Sequence, residues 1–128
     1  MQRDVERIDE VYAAFRRRDF LAILALAAPD IEVQQSTELP WGGSYSGHEG
    51  LKLFLTRLTE HLDSRVEIEQ MIDAGEHVVV AGHTAGKARA TGLEFDVPMV
   101  HVWTVREGRI ARFQPFLDNA TMLAALGM

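Results

Sequence analysis

Beyond Ser64 the spacing of apolar residues changes from mainly helical to a sustained period of two, and that change restricts the chain to a fold joining helices to a sheet. Upstream, Val5, Ile8, Val11, Tyr12 and Phe15 recur at intervals of three and four, which predicts a helix with one buried stripe. Asp19 is placed to cap a second, shorter helix carrying Phe20, Ile23, Leu24 and Ala27, and Pro29 ends it by disfavouring helical geometry at Ala28. Ser46 and Glu49 have capping-box spacing ahead of a third stripe, Leu51, Phe54, Leu55, Leu58 and Leu62. Downstream the period is two, with Val66, Ile68, Gln70 and Ile72 alternating with Glu67, Glu69, Met71 and Asp73.

Turn signals at Ala74-Gly75-Glu76, Ala90-Thr91-Gly92 and Arg106-Glu107-Gly108 divide the rest into three further strands, read as consecutive hairpins. The last, Arg109 to Leu117, runs into Asp118-Asn119, which caps a closing helix through Leu126 that Gly127 terminates. A short strand is expected at Ile31-Glu32-Val33-Gln34, followed by a mobile loop from Glu38 to Ser44. Helices grouped first and an antiparallel meander second define an α+β fold, read as a single domain over residues 1–128. Glycines at 82 and 86 permit strong bending, and a curved sheet wrapped around helices leaves a cavity.

Composition removes several function classes. There is no cysteine, so disulfides, thiolate metal sites and cysteine nucleophiles are excluded together. A formal charge of −6 repels phosphate backbones, and the one basic run, Arg16-Arg17-Arg18, is short and broken by Asp19, so no nucleic acid is expected as a partner. No long uncharged apolar run suits a membrane. The stretch Met1-Gln2-Arg3-Asp4-Val5-Glu6-Arg7 alternates charges where a secretory signal needs an apolar segment, so the cytoplasm is the expected location. His48-Glu49 lacks the later histidine of a zinc-protease helix, and no glycine-rich turn follows a strand as a phosphate loop requires; neither metal nor cofactor is expected.

Gly108-Arg109-Ile110 with Phe116-Leu117-Asp118, the Asp19-Phe20 helix junction and the Ser46-Gly47-His48-Glu49-Gly50 helix start, in this order, resemble the nuclear transport factor 2-like superfamily. That superfamily includes SnoaL-like polyketide cyclases, ketosteroid isomerases and limonene epoxide hydrolase. The resemblance implies a cone-shaped sheet whose pocket opens between helices and concave face, often in a homodimer packed through the outer sheet surface. Where ketosteroid isomerase carries its aspartate base, tyrosine and aspartic acid, this chain aligns Gln35, Val11 and Val100, so that mechanism is not expected. Of the epoxide hydrolase network only the last aspartate is matched, by Asp118; its arginine, other aspartate, tyrosine and asparagine align with His83, Ala85, Val33 and Gln35. The SnoaL-like cyclases imply an inward acid, which Asp118 or His83 would supply.

Alternation groups Val79, Ala81, His83 and Ala85 on one strand face, which the family alignment turns toward the cavity, and Met99, His101, Trp103 and Val105 on the next. The expected catalytic group is then Asp118 as acid or base, His83 orienting or sharing its proton, and His101 as the second imidazole. Tyr12, Phe15, Gln35, Trp41, Phe54, Leu58, Met99, Trp103 and Phe116 are the expected pocket wall for a small apolar, oxygen-bearing molecule. Simpler readings stand beside these. Asp118 can be a helix cap, His83 and His101 satisfied core histidines, and Trp41 a surface-packing residue or a cover over a ligand. The chain is thus expected to be a cofactor-independent isomerase, cyclase or hydrolase, or else a binding or protein-interaction module on the same fold.

Overall fold

The structure is a computed structural model that describes residues 2–128; Met1, the start of the charged amino-terminal stretch, lies outside the described residues. The first stripe forms α1 (Gln2–Arg16), burying Ile8, Val11, Tyr12 and Ala14 along one face. The short α2 (Phe20–Leu26) starts where Asp19 accepts a hydrogen bond from the Ala22 N–H at 3.1 Å, freeing one fewer helix-end donor to water. It stops before Ala28 is reached, because the chain turns directly into β1 (Ala27–Gln35), which takes in Pro29 and is longer than its sequence signal. A short β2 (Gly43–Ser46) follows, then α3 (Gly47–His61), which turns Leu51, Phe54 and Leu55 inward.

Of the segment Glu38 to Ser44, expected as a mobile loop, Gly43 and Ser44 belong to β2 and part of the rest is packed inside. Leu39 and Trp41 are buried, Trp41 to 1% exposure, and the Gly42 N–H donates to the Leu39 carbonyl at 2.8 Å. The capping box does not form either. Ser46 occupies the cap position of α3, but its Oγ donates to Glu32 Oε2 at 2.8 Å, spending on a neighbouring strand the group expected to serve the helix.

The remaining strands are β3 (Leu62–Ala74), β4 (His77–Ala88), β5 (Glu94–Arg106) and β6 (Arg109–Leu117), closed by α4 (Asn119–Ala125). They form one six-stranded sheet in the order β2-β1-β6-β5-β4-β3. The sheet is mixed rather than wholly antiparallel, because β1 lies parallel to β6, with Val33 against Phe113. The helices cover one face, and the apolar core fills the space between.

Two details set which side chains face that core. In β3 the register slips between Ile68 and Gln70, leaving Glu69 as an extra residue. Ile72 consequently pairs with Val79 and is exposed, while Met71 pairs with the buried Val80, so the expected face Val66-Ile68-Gln70-Ile72 is broken in two. In β4 the buried side is Val78, Val80, Gly82 and Thr84. The residues expected inside, Val79, Ala81 and His83, lie on the opposite side.

Gly82 sits beside the bulge, where a Cβ would lie 2.0 Å from the Glu67 carbonyl oxygen. Gly82→Ala should therefore cost about 3 kcal/mol of stability in urea denaturation, as forced overpacking does; a cost below about 0.5 kcal/mol would show that the strands part freely.

Candidate functional site

A chamber of about 90 Å³ lies between α1, α2, α3 and the inner sheet face. Its walls are aliphatic and aromatic: Phe15 from α1, Ile23 from α2, Leu51, Phe54, Leu55 and Leu58 from α3, with Trp41 and Phe113 closing one side. Among the described residues, no carboxylate, lysine or arginine lines it. Its polar groups are Tyr12, Gln35, Ser64, Thr84, His101 and the indole of Trp103.

Three of these form one hydrogen-bonded unit. His101 and Trp103 are two residues apart on β5 and therefore share its inner face. The Trp103 Nε1–H donates to the Tyr12 hydroxyl at 3.0 Å, and that oxygen lies 2.6 Å from His101 Nδ1. The Tyr12 and His101 rings are stacked 9° from parallel, while Phe113 meets the imidazole edge-on at 5.1 Å. Burial lowers the His101 pKa to about 3, so the ring is neutral at ordinary pH. Burial also pushes the Tyr12 phenol well above the usual tyrosine range, against the opposing effect of the Trp103 hydrogen bond.

Gln35 is the fourth member of this polar corner. Val33 pairs with Phe113, so Gln35, two residues on, lies level with Pro115, and Pro115 pairs with His101. Gln35 and His101 thus stand on strands flanking β6, roughly 10 Å apart at the backbone by strand spacing. Gln35 is only 5% exposed, and its Nε2 has no hydrogen-bond partner among the described residues.

The site expected from sequence is redistributed by these placements. Tyr12, Phe15, Gln35, Trp41, Phe54, Leu58, Trp103 and His101 all line the chamber. Met99 is buried on the same sheet face without lining it, and Phe116 is 53% exposed on the outer face, where it pairs with Val100. His83 also faces outward. Its Nδ1 lies 2.7 Å from Asp96 Oδ1 and its Nε2 3.4 Å from Glu69 Oε1. The hydrogen bond to Asp96 raises its pKa, partial burial opposes this, and the charges of Asp96, Glu69 and Glu67 reinforce it.

Asp118 is the cap of α4: its Oδ1 accepts from the Thr121 N–H at 3.3 Å and its Oδ2 from the Thr121 hydroxyl at 2.9 Å, both in solvent. The two imidazoles and the acid therefore do not meet. Ser64 and Thr84, absent from the expected wall, do line the chamber, and Thr84 follows directly once the inward phase of β4 is known. No group of three or more histidines and carboxylates able to hold a metal ion occurs among the described residues, and none of their helices is long and apolar enough to cross a membrane.

The family model of the SnoaL-like domain matches residues 8–113, which runs from within α1 through α2 and α3 to the middle of β6. The chain belongs to the SnoaL-like domain family. Among solved structures it is similar to an NTF2-like protein of unknown function from Burkholderia pseudomallei, at 30% identity over the full length of both chains with a TM-score of 0.93. It is similar to TerC, co-crystallised with polyporic acid, at 30% identity over 98% of this chain and 99% of that one, TM-score 0.88. A SnoaL-like polyketide cyclase from Jannaschia sp. shares the fold at 18% identity, covering 98% and 92% of the chains with a TM-score of 0.87. No curated protein matches the sequence.

Within this SnoaL-like chamber the His101 imidazole is held neutral, which ties stability to pH. The unfolded chain protonates His101 near its ordinary value of 6.5, whereas the folded chain resists until about pH 3. Between these values the unfolded state binds the extra proton, so stability falls as pH drops through that window. His101→Gln should remove up to about 4 kcal/mol of the stability difference between pH 7 and pH 3. Urea denaturation of parent and variant at several pH values measures this, and parallel pH profiles would show that His101 is not desolvated.

Proposed function

We propose that the chain binds a small, apolar, oxygen-bearing molecule in the chamber between its helices and sheet, without a bound cofactor. The observation that carries this reading is a polar corner inside an otherwise hydrocarbon wall, in which one buried amide nitrogen has no partner. A packed core gains nothing from such a group, since an unmet buried donor costs about 1–3 kcal/mol. A pocket with few, convergent polar groups on an apolar lining is what small-molecule recognition requires. The likeness to TerC, a protein co-crystallised with polyporic acid, supports a small organic ligand.

A second reading adds turnover of the isomerase, cyclase or hydrolase kind. It is favoured by His101, whose Nε2 makes no hydrogen bond with a described residue while the ring lines the chamber. Any such reaction would run on polarisation of the ligand by fixed donors. A neutral imidazole with a pKa of about 3 is a poor proton acceptor, and neither His83 nor Asp118 is within the chamber.

A thermal-shift screen of small metabolites, with product analysis of every hit, tests both readings, because a ligand of the folded state raises Tm whether or not it reacts. Leu55→Trp, which fills the chamber, should abolish the shifts of true ligands. Hits that stabilise this variant as well as the parent would place binding elsewhere.

The homodimer implied by the superfamily is kept as part of the proposal. Ile72, Val100 and Phe116 are exposed on the outer sheet face, where an apolar surface is suited to pack on a second copy. Light scattering should give a dimer mass for the parent and a monomer mass for Phe116→Glu; a monomeric parent removes this element.

A further inference from the structure

Only one placement of hydrogens satisfies the whole Tyr12 unit. The Tyr12 oxygen accepts from the Trp103 Nε1–H, a group that can only donate. If His101 carried its proton on Nδ1, that proton would also point at the Tyr12 oxygen, and the phenolic O–H would be left inside the protein with no acceptor. With the Tyr12 O–H donating to Nδ1, all three groups are used and the His101 proton must sit on Nε2. That nitrogen makes no hydrogen bond with any described residue, and the ring lines the chamber.

Across β6 stands the Gln35 amide, 95% buried by its 5% exposure, with Nε2 unpartnered. Rotation about its last torsion is soft and exchanges oxygen for nitrogen, so the amide can turn its N–H₂ toward an incoming acceptor. From these two observations we propose that Tyr12 and Trp103 are positioning residues that lock His101 as an Nε2–H donor, which with Gln35 reads a carbonyl-type acceptor oxygen on the ligand. The inference rests on the binding role proposed above and adds the class of ligand. An ammonium group finds no acceptor at His101 and, among the described residues, no carboxylate in the lining, so nothing there offsets the cost of desolvating its charge. A hydrocarbon of the same shape enters but leaves both donors unmet.

Two measurements test this. Imidazole ¹⁵N spectra at neutral pH, with His101 assigned through His101→Gln, should show Nε2 protonated and Nδ1 bare. Tyr12→Phe should lose that single-tautomer pattern. A protonated Nδ1 in the parent, or a Tyr12→Phe spectrum like the parent's, overturns the lock.

Ligand selection is read by NMR titration with three probes of nearly equal size: cyclopentanone, methylenecyclopentane and cyclopentylamine. Cyclopentanone should bind at least about five-fold more tightly than methylenecyclopentane, the net value of one hydrogen bond. Cyclopentylamine, cationic at neutral pH, should not bind. Gln35→Leu should reduce the ketone's advantage by half or more while methylenecyclopentane still binds. Equal binding of ketone and alkene, binding of the amine, or an undiminished advantage in Gln35→Leu overturns the acceptor reading and leaves the chamber a binding site. Failure of all three probes to bind removes the proposed binding role with it.

Discussion

The residue-by-residue pairing of β4 with β5 decides what chemistry the interior of this protein contains. His101 stands opposite Val80 and His83 opposite Pro98. Partners directly opposite one another point to the same side of a sheet, so the buried Val80 brings His101 inward, and the exposed Pro98 carries His83 out. A slip of one residue would put both imidazoles on the same face. Among the described residues the chamber thus holds one imidazole and no acid, while the outer face holds an imidazole between two carboxylates. The same sheet separates a buried, uncharged polar corner from an exposed ionic one.

Inside, the low dielectric gives each polar group two outcomes: it is paired, or it costs stability. Tyr12, Trp103 and the Nδ1 edge of His101 resolve this by pairing with one another in an open chain, which also rigidifies the wall they form. Gln35 does not, and its unpaired amide lies level with His101 across a single strand. Local violations of polar satisfaction in an otherwise consistent fold are expected where a ligand is to complete the pairing. The α1 helix matters here less as a lid than as the element that delivers the Tyr12 hydroxyl to a strand 89 residues away in sequence.

Legibility in the sequence followed local contrast. The stripes of α1 and α3 stood out because apolar and charged residues alternate at helical spacing, and Asp19 and Asp118 were readable as caps from position alone. The inner face of β5 was readable too, since Met99, His101, Trp103 and Val105 alternate with residues of different character. In β4 the run Val78-Val79-Val80-Ala81 is apolar on both sides, so alternation could not select a phase, and the superfamily alignment selected the wrong one. The extra residue at Glu69 in β3 and the burial of Trp41 in residues 36–42 likewise left no local signal, because each depends on what lies across from it.

By itself the sequence determined the class of fold, the order of its elements, the absence of thiol chemistry and part of the apolar wall, all of which follow from residue type and spacing along the chain. Tertiary structure alone decided that β1 joins the sheet parallel to β6, that Ser46 serves Glu32 rather than its helix, and that Asp118 and His83 stand apart from His101. The physical reason is that strand register is a relation between distant segments. A strand with two apolar faces carries no information about which one the rest of the molecule will cover.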